Sequence, residues 1–208
     1  MNSVYYNIKS LAYGTKNILL RYINGTLLKP RWLWFEVTDR CNSRCLHCNI
    51  WSKKPKKDIL APVEIKKLLS EPLFNDIEWI LNAGGEPALR DDLEEVILSQ
   101  HEAVPKAKIM ISTNGLLPER IVSVVKSAII NKINIYVGTS IEAIGKEHDS
   151  IRGIAGNFEK VDRLLREPVV IRDTYKNGFP SFGFTLIDRT LPHLEAVKLY
   201  LENWEWIS

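Results

Sequence analysis

The run Trp34-Phe35-Glu36-Val37-Thr38-Asp39-Arg40-Cys41-Asn42-Ser43-Arg44-Cys45-Leu46-His47-Cys48 decides how the whole chain is read. Its first half, extended back to Trp32, is a short stretch of aromatic and branched residues and predicts a strand over Trp32–Thr38. Its second half gathers all three cysteines of the 208-residue sequence within eight positions. The spacing C-x3-C-x2-C lets a single loop aim three thiolates at one point. Such soft ligands suit a soft metal or an iron–sulfur cluster. A cubane cluster held by three cysteines keeps one iron free of protein ligands, open to a small molecule. Structural zinc is the alternative, and a closed zinc site needs a fourth ligand. Here that would be His47, cramped between two cysteines, or the distant His101, His148 or His193. The odd count and the short spacing speak against a disulfide.

Outward from this loop, runs of apolar and β-branched residues alternate with helical patterns. Strands are expected at Trp79–Ala83, Lys108–Ser112, Ile133–Thr139 and 181–187. Helices are expected over 62–69, begun by Pro62, over 91–102 and over 156–166. Another runs through Ile121, Val124, Val125, Ala128 and Ile129, and a last one from Leu194 to Trp204. Five strand–helix units predict an α/β fold with parallel strands wrapped by helices, an open sheet or a partial TIM-like (β/α) barrel. Ligands of such folds bind at the carboxyl ends of the strands. The cysteine loop, Gly84-Gly85-Glu86-Pro87, Thr113-Asn114-Gly115 and Ser140-Ile141-Glu142 all follow strands directly, so they gather on one rim.

Apolar content is 45% and the net charge +3, ordinary for one globular domain and too weakly basic to indicate nucleic acid. Residues 1–30 form a basic arm, read as short helices; Lys9, Lys16, Arg21, Lys29 and Arg31 lie within the first 31 positions, which hold no acid. Residues 31–208 form the core domain. No apolar run reaches transmembrane length and no export leader is evident, so a cytoplasmic protein with reduced cysteines is expected. The segment Lys53-Lys54-Pro55-Lys56-Lys57 is a basic loop.

These residues resemble the radical S-adenosylmethionine (radical SAM) enzymes. C-x3-C-x2-C with His47 before the third cysteine is similar to the family's cluster motif, and Gly84-Gly85-Glu86-Pro87 to its GGEP element. Ser140-Ile141-Glu142 is similar to a Ser-Ile-Asp element, with Glu in place of Asp. Asn114 and Arg152 also match frequent family positions. The resemblance covers about residues 32–190 and implies a [4Fe–4S] cluster on Cys41, Cys45 and Cys48. Its open iron would chelate S-adenosylmethionine, and the amino group would rest on Gly84, Gly85 and Glu86. Ser140 and Glu142 would serve ribose hydroxyls or a polar tail, Arg152 a carboxylate and His47 the adenine.

One electron would then cleave the sulfonium to a 5′-deoxyadenosyl radical, which abstracts hydrogen from a small-molecule or peptide substrate. A reductant such as flavodoxin or ferredoxin is implied. The alternatives are a non-catalytic iron–sulfur electron-transfer protein and a zinc-binding interaction module. The family core has six strand–helix units and only five are read here. A chain truncated after the fifth unit is therefore expected, or a partner covering the edge marked by Trp204 and Trp206.

Overall fold

In the computed structural model, Thr15, Leu19 and residues 29–55, 59–167, 170 and 181–203 are described. Five strands form one parallel sheet in the order β1-β2-β3-β4-β5. They are β1 Trp32–Thr38, β2 Trp79–Gly84, β3 Lys108–Thr113, β4 Ile135–Ser140 and β5 Ser181–Gly183. Helices follow the strands: α1 Pro62–Leu69, α2 Leu93–Ala103, α3 Pro118–Ile130, α4 Lys146–Arg152, α5 Asn157–Arg166 and α6 Leu194–Glu202. The sheet is not closed, since β1 and β5 are its two edges. This is the α/β partial barrel expected from the alternation of elements.

Side-chain alternation explains which face the helices cover. Ile80 of β2 packs with Ile65 and Leu69 of α1 and Val96 of α2, all buried. Ile109, Ile111, Ile135 and Val137 pack against Ile97, Ile121, Val124 and Val125 in the same way. Polar residues on this face are paired, as buried polar groups must be. Asn82 and Gln100 exchange two side-chain hydrogen bonds of 3.0 and 2.6 Å. The opposite, concave face carries Trp32 stacked on Trp79 at 5.3 Å, with Tyr136 5.0 Å beyond. Lys108 lies 4.9 Å from the Trp79 ring centre. Trp32 and Trp34, on the edge strand, remain 67% and 68% exposed there, while Leu81, Met110 and Tyr136 on the inner strands are half-buried.

Two expectations are corrected. The fifth strand is three residues long instead of seven, because the chain leaves the sheet after Gly183 to bring Thr185 onto Glu142. Helix α4 was not expected: it is seven residues long, mostly polar, and bounded by Gly145 and Gly153, so it has no apolar period to read. The helical arm of residues 1–30 lies outside the described residues, apart from Thr15 and Leu19, which are helical, and Lys29 and Pro30, which are not. Lys56 and Lys57 of the basic loop, Trp204 and Trp206 also lie outside them. No described helix is long and apolar enough to cross a membrane.

Candidate cluster and cofactor site

The cysteine loop leaves β1 at a register irregularity between Glu36 and Thr38, and two neighbours grip it. The first is the end of β2. Gly85 N donates to Thr38 O and Glu86 N to Arg40 O, both at 2.7 Å. A Cβ on Gly84 would stand 2.2 Å from Thr38 O, and one on Gly85 2.0 Å from Arg40 O. Gly84 also has φ +112°, a conformation that side chains disfavour. The two glycines were expected to admit a ligand to the backbone. The structure shows the chain's own backbone approaching them on its way into the cysteine loop.

The second grip is the C-terminus of α4. Helix ends leave carbonyls without intrahelical partners. Here Arg44 N donates to Arg152 O and Leu46 N to Ile151 O, both at 3.0 Å, and Ser43 Oγ donates to Arg152 O at 2.9 Å. The loop thus caps the helix, and the helix fixes the loop. Trp51 closes it from outside, its indole N–H donating to Cys48 O at 2.8 Å and Cys45 O at 3.4 Å.

Within this frame Cys45 is buried, Cys41 half-buried and Cys48 exposed, and none is in a disulfide. Burial pushes the Cys41 thiol up, partly offset by the Ser43 amide 3.5 Å from its sulfur. Ser43 Oγ lies 3.2 Å and Arg152 Nη1 3.5 Å from Cys45 Sγ. Among the described residues, no three His, Cys, Asp or Glu side chains converge closely enough to hold a single metal ion.

The rim residues join into one network. Glu86 is fully buried; its Oε1 accepts from Thr113 Oγ1 at 2.7 Å and Ala88 N at 3.0 Å, and its Oε2 from Asn114 N at 2.6 Å. Burial raises its pKa while those donors oppose the rise. Glu86 was expected to receive an ammonium group. The geometry gives it another task, tying the ends of β2 and β3 together. Asn114 also works within the protein, with Oδ1 accepting from Leu116 N at 2.9 Å and Nδ2 donating to Asn42 Oδ1 at 2.8 Å.

Glu142 is fully buried and accepts from Thr185 N at 2.8 Å and Thr185 Oγ1 at 3.1 Å. Its Oε1 lies 3.6 Å from Arg152 Nη1 and 3.8 Å from His47 Nε2. Both distances are too long for a hydrogen bond, and the first is an ion-pair contact. Burial lowers the pKa of His47, with Arg152 adding to the fall and Glu142 opposing it. Ser140, at the end of β4, lies against Gly183 and stands apart from this network. Three buried polar atoms on or next to these elements have no partner: His47 Nδ1, Arg152 Nε and Thr139 Oγ1.

Sequence reasoning missed several members of the site. His148 is fully buried; its Nδ1 accepts from Glu142 N at 3.1 Å and its Nε2 faces Asn157 Oδ1 at 3.3 Å. Asn157 Nδ2 donates to Asn114 O at 2.9 Å, closing the chain of contacts back to Glu86. Asp149 caps α5 by accepting from Gly156 N and Phe158 N. The run His148-Asp149-Ser150-Ile151-Arg152 therefore spaces three polar side chains along one short helix, each with its own task. Ser43, set between two cysteines, was the remaining unread signal.

The Radical SAM superfamily model matches residues 35–167, more than half of the chain. The chain belongs to this superfamily. A probable GTP 3′,8-cyclase of Methanococcus vannielii is 30% identical over 176 residues, covering 83% of this chain and 57% of the relative. An Fe-coproporphyrin III synthase of Methanosarcina barkeri is 34% identical over 139 residues, covering 66% and 33%. The chain thus spans about half, or less, of the curated relatives it matches. Among solved structures, SuiB of Streptococcus suis superposes with TM-score 0.63 at 17% identity, over 94% of this chain and 42% of SuiB. The anSMEcpe enzyme with bound AdoMet gives 0.58 at 21%, over 82% and 47%. At these identities the structures show a shared fold, that of radical SAM partial barrels. Enzymes of the superfamily use a [4Fe–4S] cluster and S-adenosylmethionine.

Proposed function

We propose that this chain holds a [4Fe–4S] cluster on Cys41, Cys45 and Cys48 and cleaves S-adenosylmethionine reductively to begin radical chemistry on a substrate at the concave face. The observation that carries the reading is the loop itself. Three thiols sit at the carboxyl end of β1, pinned by backbone bonds to β2 and α4, beside buried polar atoms of His47 and Arg152 that lack protein partners. Orphaned buried polar atoms are costly, and a polar ligand relieves that cost. The donor set suits a cluster with one iron free of protein.

A cluster held by Cys41, Cys45 and Cys48 would supply the single electron that reductive cleavage of S-adenosylmethionine requires. The protein binds, orients and excludes water. Arg152, a fixed guanidinium with an unpartnered Nε, receives the carboxylate of S-adenosylmethionine. His47 lays its ring beside the adenine. Glu86 has its oxygens filled and is sealed from solvent, so backbone carbonyls of the Gly84-Gly85 turn take the ammonium group. Ser140, half-buried at the end of β4, remains for a ribose hydroxyl, while Glu142 holds Arg152. A small one-electron carrier of the flavodoxin or ferredoxin type is the reductant.

Anaerobic reconstitution with iron and sulfide, followed by dithionite and S-adenosylmethionine, tests this. Formation of 5′-deoxyadenosine is expected. A cluster whose spectrum ignores S-adenosylmethionine would favour an electron-transfer protein, and stoichiometric zinc without iron a zinc module; either result overturns the proposal.

A further inference from the structure

Ser43 is 1% exposed and lies between two of the three cysteines, yet nothing above gives its hydroxyl a role toward the cluster. That oxygen is 2.9 Å from Arg152 O and 3.2 Å from Cys45 Sγ. A hydroxyl has one proton to give. While Cys45 is a thiol, its S–H serves the serine oxygen and the serine proton serves Arg152 O. A thiolate bound to iron has no proton, and a serine lone pair facing it would be repelled. Arg152 O keeps the Arg44 amide at 3.0 Å, so the serine proton can turn to the sulfur without leaving that carbonyl bare.

A second donor is already aimed at the same atom. Arg152 Nη1 lies 3.5 Å from Cys45 Sγ, and Glu142 Oε1 pairs with the same nitrogen at 3.6 Å. Cys41 receives only the Ser43 amide at 3.5 Å and the Asn114 amide at 3.9 Å. Among the described residues no donor reaches the sulfur of Cys48, which is exposed. Cys41 and Cys45 thus each face two donors, and the pair on Cys45, a hydroxyl and a guanidinium at 3.2 and 3.5 Å, is the closer one and includes the charged group. Hydrogen bonds to cluster sulfurs withdraw negative charge and favour the reduced form.

We propose that Ser43 and Arg152 are positioning residues that donate hydrogen bonds to the Cys45 sulfur and so raise the potential at which a bound cluster accepts an electron. The inference rests on the cluster assignment above. Only one electron moves, from an external reductant to the cluster, and no bond is broken.

Wild-type protein, Ser43→Ala, Ser43→Thr and Arg152→Gln are reconstituted anaerobically and checked for equal iron and sulfide. Each is then titrated with dithionite against redox mediators, without S-adenosylmethionine, reading the paramagnetic signal of the reduced cluster. The midpoint is expected to move to more negative values in Ser43→Ala and Arg152→Gln and to return in Ser43→Thr, which keeps the hydroxyl. Midpoints in the first two that match the wild type, or lie above it, overturn the proposal. If Ser43→Ala retains no cluster, Arg152→Gln alone decides by the same criterion. A wild-type protein that takes up no iron and sulfide would instead overturn the cluster reading on which the inference stands.

Discussion

His148 makes the stability of this protein depend on pH in a way that can be worked out in advance. Burial, with Arg152 nearby, lowers its pKa from 6.5 to about 4, against smaller opposing effects of Asn157 and Asp149. The folded ring must stay neutral, because its Nδ1 accepts the Glu142 amide. Above the unfolded value both states are uncharged and the residue contributes no pH dependence. As the pH falls below it, the unfolded chain binds a proton that the folded one refuses, and stability drops until the folded value is passed. With those two values the loss between pH 8 and pH 5 is about 2 kcal/mol, and about 3 kcal/mol is the limit at lower pH. The assay is urea denaturation of cluster-free protein from pH 8 to pH 5, comparing wild type with His148→Asn, whose amide oxygen can still accept the Glu142 N–H. Titrations common to both proteins cancel in the difference. The advantage of the wild type should therefore shrink by about 2 kcal/mol across that range. Parallel stability curves would refute the claim that a neutral imidazole is locked into this network.

Further outcomes follow from the same geometry. Gly85→Ala places a methyl group 2.0 Å from Arg40 O, against backbone that cannot swing aside, and strains two short hydrogen bonds. Denaturation should show a loss of about 2–4 kcal/mol, and iron binding should fall with it. Glu86→Gln replaces one acceptor oxygen with an amide that faces N–H and O–H donors. It should cost about 1–3 kcal/mol in the same assay. Any one of Cys41→Ala, Cys45→Ala or Cys48→Ala should abolish the cluster's visible absorption and the formation of 5′-deoxyadenosine while leaving the far-ultraviolet circular dichroism unchanged.

The sheet was legible because its strands are short apolar runs and its helices carry clear periods, as in Ile121, Val124, Val125 and Ala128 of α3. The rim was legible because unusual residues fell just after strands. Orientation was not. Sequence shows a carboxylate at Glu86 but not whether it faces a ligand or three donors of its own chain, since the answer depends on Thr113 and Asn114 of the next strand. Gly84 and Gly85 were recognised as places of close backbone approach, yet the approaching backbone is the end of β1 and the start of the cysteine loop, and spacing alone cannot say so. Helix α4 and the pairing of His148 with Glu142 escaped notice because short polar helices carry no hydrophobic signature.

The capping of α4 by the cysteine loop also sets an order of events during biosynthesis. Ser43 meets the carbonyl of Arg152 across a separation of 109 residues. Contacts so distant along the chain form late, after the local elements between them. A ribosome that has exported the cysteines but not yet Gly153 therefore carries a ligand loop with one of its two anchors missing. Both anchors of the cysteine loop are in place only once β2 and α4 have met it, so the loop takes its final shape late in folding.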